Sequence, residues 1–285
     1  MSHNLINNFR VHLTAQDLSE NTIETYLNSI RAFSRWFSAT NGYNLSSESI
    51  TAQDIKEFRG FLQISGQKPA TINLKLAAIN SLCNFWQVSP GIVRNVVQQT
   101  TPPRWLDKRD QGKLLKQIQI QENGSITLKK KILSTRNRVI IMVMLNTGLR
   151  VSEICNLEIK DLTINPRSGS LEVRAAKGNK NRTIPLNLTA RTNLEDWIKI
   201  ANKSDGLVFN VSPREIQRVL QRLSWMTGVE CTPHTLRHTF AHNLASSGIP
   251  LDQVAIILGH DRLDTTRIYT MPGMSDLSAA VSVLD

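Results

Sequence analysis

Apolar residues in the first hundred positions recur every three or four places, the period of an amphipathic helix. Ile23, Tyr26, Leu27, Ile30, Phe33 and Phe37 form one such stripe, and it follows Ser19, a good helix-starting cap. Thr51 and Asp54 have the spacing of a capping box ahead of Ile55, Phe58 and Leu62. Pro69 opens a further stripe of Ile72, Leu76, Ile79 and Cys83. With residues 3–13 this makes about four helices, and a small bundle is the natural way to bury their stripes. Trp36, Phe58, Phe61 and Trp86 are read as core aromatics rather than as platforms for stacking bases.

The pattern breaks at Thr100-Thr101-Pro102-Pro103-Arg104-Trp105, where two prolines forbid helix and favour an extended path. A linker is expected within 96–106. This leaves 1–98 as a helical lobe, 99–106 as the joint and 107–285 as a second lobe. A semi-rigid joint between basic lobes suits closure around a rod such as duplex DNA. In the second lobe helical spacing covers about 107–120, 136–147 and 151–157. Ser170 to Arg174 and Arg182 to Leu186 alternate like strands around Lys177-Gly178-Asn179-Lys180-Asn181, which predicts a β-hairpin with a basic tip. Helical spacing resumes at about 189–201, 213–226, 234–247 and 251–258. The expected fold is mainly α, with an all-helical first domain and a small hairpin in an α+β second domain.

Charge changes the picture more than composition does. The chain carries 34 Lys+Arg against 23 Asp+Glu, a net of +11, which suits a polyanionic partner such as nucleic acid. Residues 1–100 hold 8 basic and 6 acidic residues and residues 101–285 hold 26 and 17, so +2 and +9 make up the total. The surplus lies in the second lobe. Cys83, Cys155 and Cys231 are odd in number and widely spaced, which reads as buried thiols in a reducing compartment. Met1 to Leu5 lacks the start of a secretory signal, and the longest apolar run, Val139 to Leu145, is too short to span a bilayer.

The chemistry-bearing residues cluster late in the chain. His234-Thr235-Leu236-Arg237-His238 follows Pro233, which fits a first helical position. His234 and Arg237, three apart, are expected to share a face and project from the positive end of a helix, where a phosphate is favoured. Leu258-Gly259-His260 follows, and Tyr269 lies nine residues beyond His260. Far upstream stands Arg150, in Asn146-Thr147-Gly148-Leu149-Arg150-Val151-Ser152-Glu153. Two fixed cations, two imidazoles and a phenol suggest phosphoryl transfer onto a side chain. His234, His238 and His242 at four-residue spacing imitate a metal ladder, but neither an HExxH pattern nor a Cys or Asp cluster joins them. His238 is read as core-packed and His242 as structural or surface.

The stretches Thr147 to Leu157, Lys177 to Leu186, His234 to Gly248 and Leu258 to Thr270 resemble the tyrosine recombinase (phage integrase) family, in particular its Xer-type and transposon-encoded members. The resemblance implies an N-terminal core-binding helical domain and a C-terminal catalytic domain clamped around DNA. Position by position it implies Arg150 as the first catalytic arginine and Lys177 as the hairpin lysine, with Lys180 its near competitor. It further implies His234 and Arg237 as the His-x-x-Arg pair, His260 as the second histidine and Tyr269 as the nucleophile. Glu153 takes the place of an acidic residue that orients the first arginine.

The chemistry agrees with that assignment. Arginines aimed at non-bridging phosphate oxygens stabilise the charge that attack builds up. A phenol with an ordinary pKa of about 10 needs cationic neighbours or a base. The family implies a 3′-phosphotyrosyl intermediate and a free 5′ hydroxyl. This is a nearly isoenergetic exchange that calls for no cofactor, neither metal nor ATP. The implied partners are double-stranded recombination sites and a homotetramer in synapsis, with room for accessory DNA-bound subunits and no membrane. The implied setting is cytoplasmic, at a bacterial nucleoid. An apolar stripe of Leu277, Ala280, Val281 and Leu284 is expected to form a docking tail. The rivals are a type IB-like topoisomerase and a non-catalytic architectural DNA binder. A metal-dependent nuclease is a third, disfavoured for want of ligands.

Overall fold

A computed structural model describes residues 3–91, 93–97, 103–174 and 181–259, and the chain divides into two compact units, Met1–Thr100 and Thr101–Asp285. Lys177, Lys180, His260, Tyr269 and the expected tail stripe lie outside the described residues.

The first unit contains α1 (His3–Ala15), α2 (Glu20–Asn41), α3 (Ala52–Ile64) and α4 (Pro69–Phe85). Each start has a local cause. The Ser19 hydroxyl accepts from the Thr22 N–H, and Thr51 and Asp54 exchange side-chain and backbone bonds as a full capping box. Phe9, Leu27, Phe33, Phe37, Phe58, Ile72 and Ile79 are buried in one core. The Phe33 and Phe58 rings meet at 5.0 Å between centroids. Phe61 is not a core residue: it is 47% exposed, and Trp36 and Trp86 are only half-buried. Phe61 follows Phe58 by three positions, a step that leaves it about 60° off the stripe. Its ring leans on Phe58 from the rim, with 6.3 Å between centroids.

The second unit runs α5 (Lys108–Asn123), α6 (Leu128–Thr147), α7 (Val151–Cys155), a 3₁₀ turn (Ile159–Asp161), β1 (Leu162–Ile164), β2 (Gly169–Val173), β3 (Arg182–Pro185), α8 (Leu188–Ile200), α9 (Pro213–Thr227), α10 (Pro233–Ser246) and α11 (Leu251–Leu258). Helix α6 packs against α5, α8 and α10, and its Val139, Ile140, Val143 and Met144 are buried. It begins eight residues ahead of the expected start. Lys129, Lys130 and Lys131 fill its first turn, where basic side chains oppose the helix dipole, so neither charge nor apolar spacing marks the true beginning. Thr127 caps it instead, accepting from the Lys130 N–H.

The sheet is three-stranded and antiparallel in the order β1-β2-β3, with Leu171 opposite both Leu162 and Ile184. The sequence pattern yields only two of these strands, because a strand as short as β1 is too brief to display alternation. Leu171, Val173 and Ile184 face the core. At the start of the unit, Trp105 stacks on His242 at 4.2 Å, and the Leu106 N–H donates to the Thr239 hydroxyl at 2.9 Å. All three cysteines are buried and unpaired. Among the described residues no helix is long and apolar enough to cross a membrane.

Candidate active site

Helix α6 ends at Gly148, whose φ of +65° closes the helix through an N–H bond to the Met144 carbonyl. A Cβ there would lie 2.4 Å from the Phe240 ring and 2.8 Å from Leu258, so glycine is required both by conformation and by space. Two residues later Arg150 stands as the cap position of α7. Its backbone N–H donates to Glu153 Oε2 at 2.7 Å and its Nη1 to Glu153 Oε1 at 3.0 Å. The side chain is 38% exposed and lines a cleft of about 580 Å³ with Glu153, Glu172, Arg174 and Arg182.

Glu153 is held from its other side by Arg182, the first residue of β3. Arg182 Nη1 and Nη2 donate to Oε1 and Oε2, each at 2.9 Å, in a symmetric fork. Burial alone would raise the Glu153 carboxyl. The bonds from Arg182 and from the Arg150 backbone outweigh it and hold the group below its ordinary value. Sequence reasoning missed Arg182. Alternation puts it on the face of Ile184 and Leu186, but a basic side chain next to a basic hairpin tip reads as solvated, and its partner is 29 positions away.

Thr232 caps α10, accepting from the Thr235 N–H, with Pro233 in the first turn. His234 is exposed there and borders a second cleft with Val151, Gln217 and Gln221. Arg237 does not share its setting. It is 4% exposed, and its Nη1 and Nη2 donate to the carbonyls of Gly148 and Leu258, both at 2.7 Å. A three-residue step turns a side chain about 60° from its neighbour. That offset carries Arg237 from the solvent edge into the seam between the end of α6 and the end of α11. His238 is half-buried, its ring 6.3 Å from that of His234. Burial, then the positive charges of His234 and Arg237, push its imidazole down to about 4. His242 belongs to the Trp105 stack. Among the described residues no three His, Cys, Asp or Glu side chains form a metal-binding group.

The last carbonyls of α11 collect the cations. Ile257 O accepts from Arg182 Nε at 2.9 Å, Leu258 O from Arg237 Nη2 at 2.7 Å, and Gly259 O from Arg150 Nη2 at 3.1 Å. Carbonyls at a helix C-terminus lack intrahelical partners and carry the negative end of the dipole, so they suit guanidinium groups. Three consecutive carbonyls thereby gather arginines from three distant parts of the chain. Of the six residues expected at the site, the structure brings Arg150 and Arg237 together through this bracket and puts His234 on the same helix as Arg237. Lys177, His260 and Tyr269 lie outside the described residues.

Known proteins match almost the whole chain. Residues 104–275 match the phage integrase family, and residues 5–85 match the phage integrase N-terminal SAM-like domain. The tyrosine recombinase XerA of Pyrococcus furiosus is 31% identical over 288 residues, covering 97% of this chain and 92% of that protein. The tyrosine recombinase XerD of Oceanobacillus iheyensis is 30% identical over 271 residues, covering 89% and 88%. The same fold occurs in the XerH site-specific recombinase bound to its difH substrate before cleavage, with a TM-score of 0.71 at 24% identity over 92% of this chain and 79% of that one. With its helical first unit, its mixed second unit and its paired arginines, the chain belongs to the phage integrase family and is an Xer-like tyrosine recombinase, an enzyme of site-specific recombination.

Proposed function

We propose that this recombinase cleaves and rejoins double-stranded DNA through a 3′-phosphotyrosyl intermediate on Tyr269. The Tyr269 oxygen attacks the scissile phosphorus and the P–O5′ bond breaks. The phenol proton passes to an imidazole of the His234 and His260 pair, and Lys177 protonates the departing 5′ oxygen. Arg150 and Arg237 stabilise the negative charge that gathers on the non-bridging oxygens. The observation that carries this reading is the bracket at the end of α11. It anchors Arg237 on the Leu258 carbonyl and Arg150 on the next one, Gly259, so two guanidinium groups from distant parts of the chain are held at one helix end.

In this reading residues 1–98 form the core-binding domain, 99–106 the linker and 107–285 the catalytic domain with its tail. The family matches at 5–85 and 104–275 and the division between Thr100 and Thr101 support those limits. The partner is a pair of duplex recombination sites held by a homotetramer, with accessory DNA-bound subunits where directionality is controlled. The +11 charge and the difH complex of XerH support the DNA partner. The cell compartment is the cytoplasm, at the nucleoid. A topoisomerase or an architectural role is disfavoured, since the relatives matched along most of both chains are recombinases.

The direct test is Tyr269→Phe on a nicked suicide duplex whose sequence has been selected from a randomised library by covalent capture on the wild-type chain. The variant is expected to bind this duplex as the wild type does and to form no detergent-stable adduct. An adduct that persists in the variant removes Tyr269 as the nucleophile.

A further inference from the structure

Arg182 has no place in the reaction just described, yet it is among the most thoroughly engaged cations in the second unit. Its Nη1 and Nη2 fork onto Glu153 and its Nε is bound to the Ile257 carbonyl. Its side chain is 12% exposed and that of Glu153 is 13% exposed. Gly259 adds a steric wall: a Cβ there would come within 2.9 Å of Arg182 Nη1, and its φ of +65° already favours glycine. The guanidinium plane is fixed on several sides, by two bonds to Glu153 and one to the Ile257 carbonyl.

The consequence appears at Glu153. Each of its oxygens accepts twice, once from Arg150 and once from Arg182. Were Arg182 absent, a largely buried carboxylate would face Arg150 as its nearest cation. The pair would close into a neutral fork, because a poorly solvated carboxylate takes the strongest bidentate donor within reach. Arg150 would then be turned away from the cleft, and its charge would be spent on Glu153. With Arg182 in place, Arg150, Glu153 and Arg182 together carry one net positive charge, and the Arg150 side chain gives Glu153 a single bond while its other Nη holds the Gly259 carbonyl.

We propose that Arg182 is a positioning residue for strand cleavage: it neutralises Glu153 so that Arg150 keeps both its orientation and its charge for the scissile phosphate. The inference rests on the assignment of Arg150 to that phosphate. Lysine is a poor substitute, because a single ammonium cannot supply the fork and the third bond in one plane.

The test is a double-mutant cycle in single-turnover cleavage, run on the library-selected suicide duplex described above. Arg182→Gln is expected to slow adduct formation roughly 10- to 100-fold, the usual range for a residue that orients a site group from behind. Adding Glu153→Gln removes the charge that Arg182 answers, so the double variant should be no slower than Arg182→Gln alone. A second arm replaces the scissile diester with a methylphosphonate, which lacks the anionic oxygen that Arg150 serves. The deficit of Arg182→Gln should shrink to about threefold or less on that substrate, since the outer-residue penalty acts only through Arg150. The ratio of rates on the two substrates does not depend on the fraction of protein folded, so misfolding cannot imitate this result. The inference is overturned if the effects of Arg182→Gln and Glu153→Gln simply multiply, or if the deficit is equal on both substrates. The underlying reading is checked separately with Arg150→Lys: full activity in that variant refutes the role of Arg150 itself, whatever Arg182 does.

Discussion

The two units bury different things. In the first, the described buried polar residues are Ser29 and Ser34, and the interior is otherwise apolar. Ser29 meets its need locally, by donating to the Thr25 carbonyl one turn earlier in its own helix at 2.8 Å. In the second, a carboxylate and a guanidinium are buried, Asp161 and Arg237; Asp161 caps its own turn and also takes a fork from Arg174, and the carbonyl partners of Arg237 come from the ends of two other helices. A core built from apolar area alone tolerates change roughly in proportion to the volume lost. A buried charge does not, since removing it strands the groups that were paired with it. The first unit is thus organised for folding, whereas the second spends part of its interior on keeping cations in fixed positions.

The largest effect expected from this contrast is at Arg237. Arg237→Met keeps much of the volume but leaves the Gly148 and Leu258 carbonyls without a donor. It should abolish adduct formation on the suicide duplex and cost about 2–5 kcal/mol in urea denaturation. A cost below about 1 kcal/mol would mean that these bonds contribute little, and the contrast would break there.

Next comes pH. His238 has an ordinary value near 6.5 and is held at about 4 in the fold. Between these values the unfolded chain binds a proton that the folded chain refuses, so stability is full above pH 6.5 and falls as pH drops toward 4. His238→Gln should flatten the melting temperature against pH across this window. An unchanged slope would shift the acid sensitivity to other groups. Glu153, whose carboxyl is depressed, adds a loss only below its ordinary range, so the two contributions separate on the pH axis.

The smallest effect is expected at Ser29→Ala, within about 0.5 kcal/mol, because a hydroxyl bonded back to its own helix can be removed without stranding a distant partner. If this change cost as much as Arg237→Met, the two interiors would not differ in kind.

The same contrast explains what the sequence made legible. Helix starts at Ser19, Thr51 and Pro233 are written in one or two adjacent residues, and the stripes of the first unit need nothing beyond periodicity. Arg150, His234 and Arg237 stand out because their residue types and spacing belong to a recognisable chemical pattern. What escaped depends on distance. The burial of Arg237 is decided by carbonyls at Gly148 and Leu258, which no local pattern announces. The fork of Arg182 on Glu153 crosses from β3 to α7, and alternation, which gives the inward face of Arg182, cannot name a partner there. Strand β1 is too short to show a period, and the lysines in the first turn of α6 hide the start of that helix. Phe61 shows the opposite failure: an aromatic residue close to a stripe looks like core until the helix angle is known.

Arg182, Arg237 and Arg150 hang from the successive carbonyls of Ile257, Leu258 and Gly259, at the end of one short helix. A shift of that helix end therefore moves the acceptors of all three guanidinium groups at once.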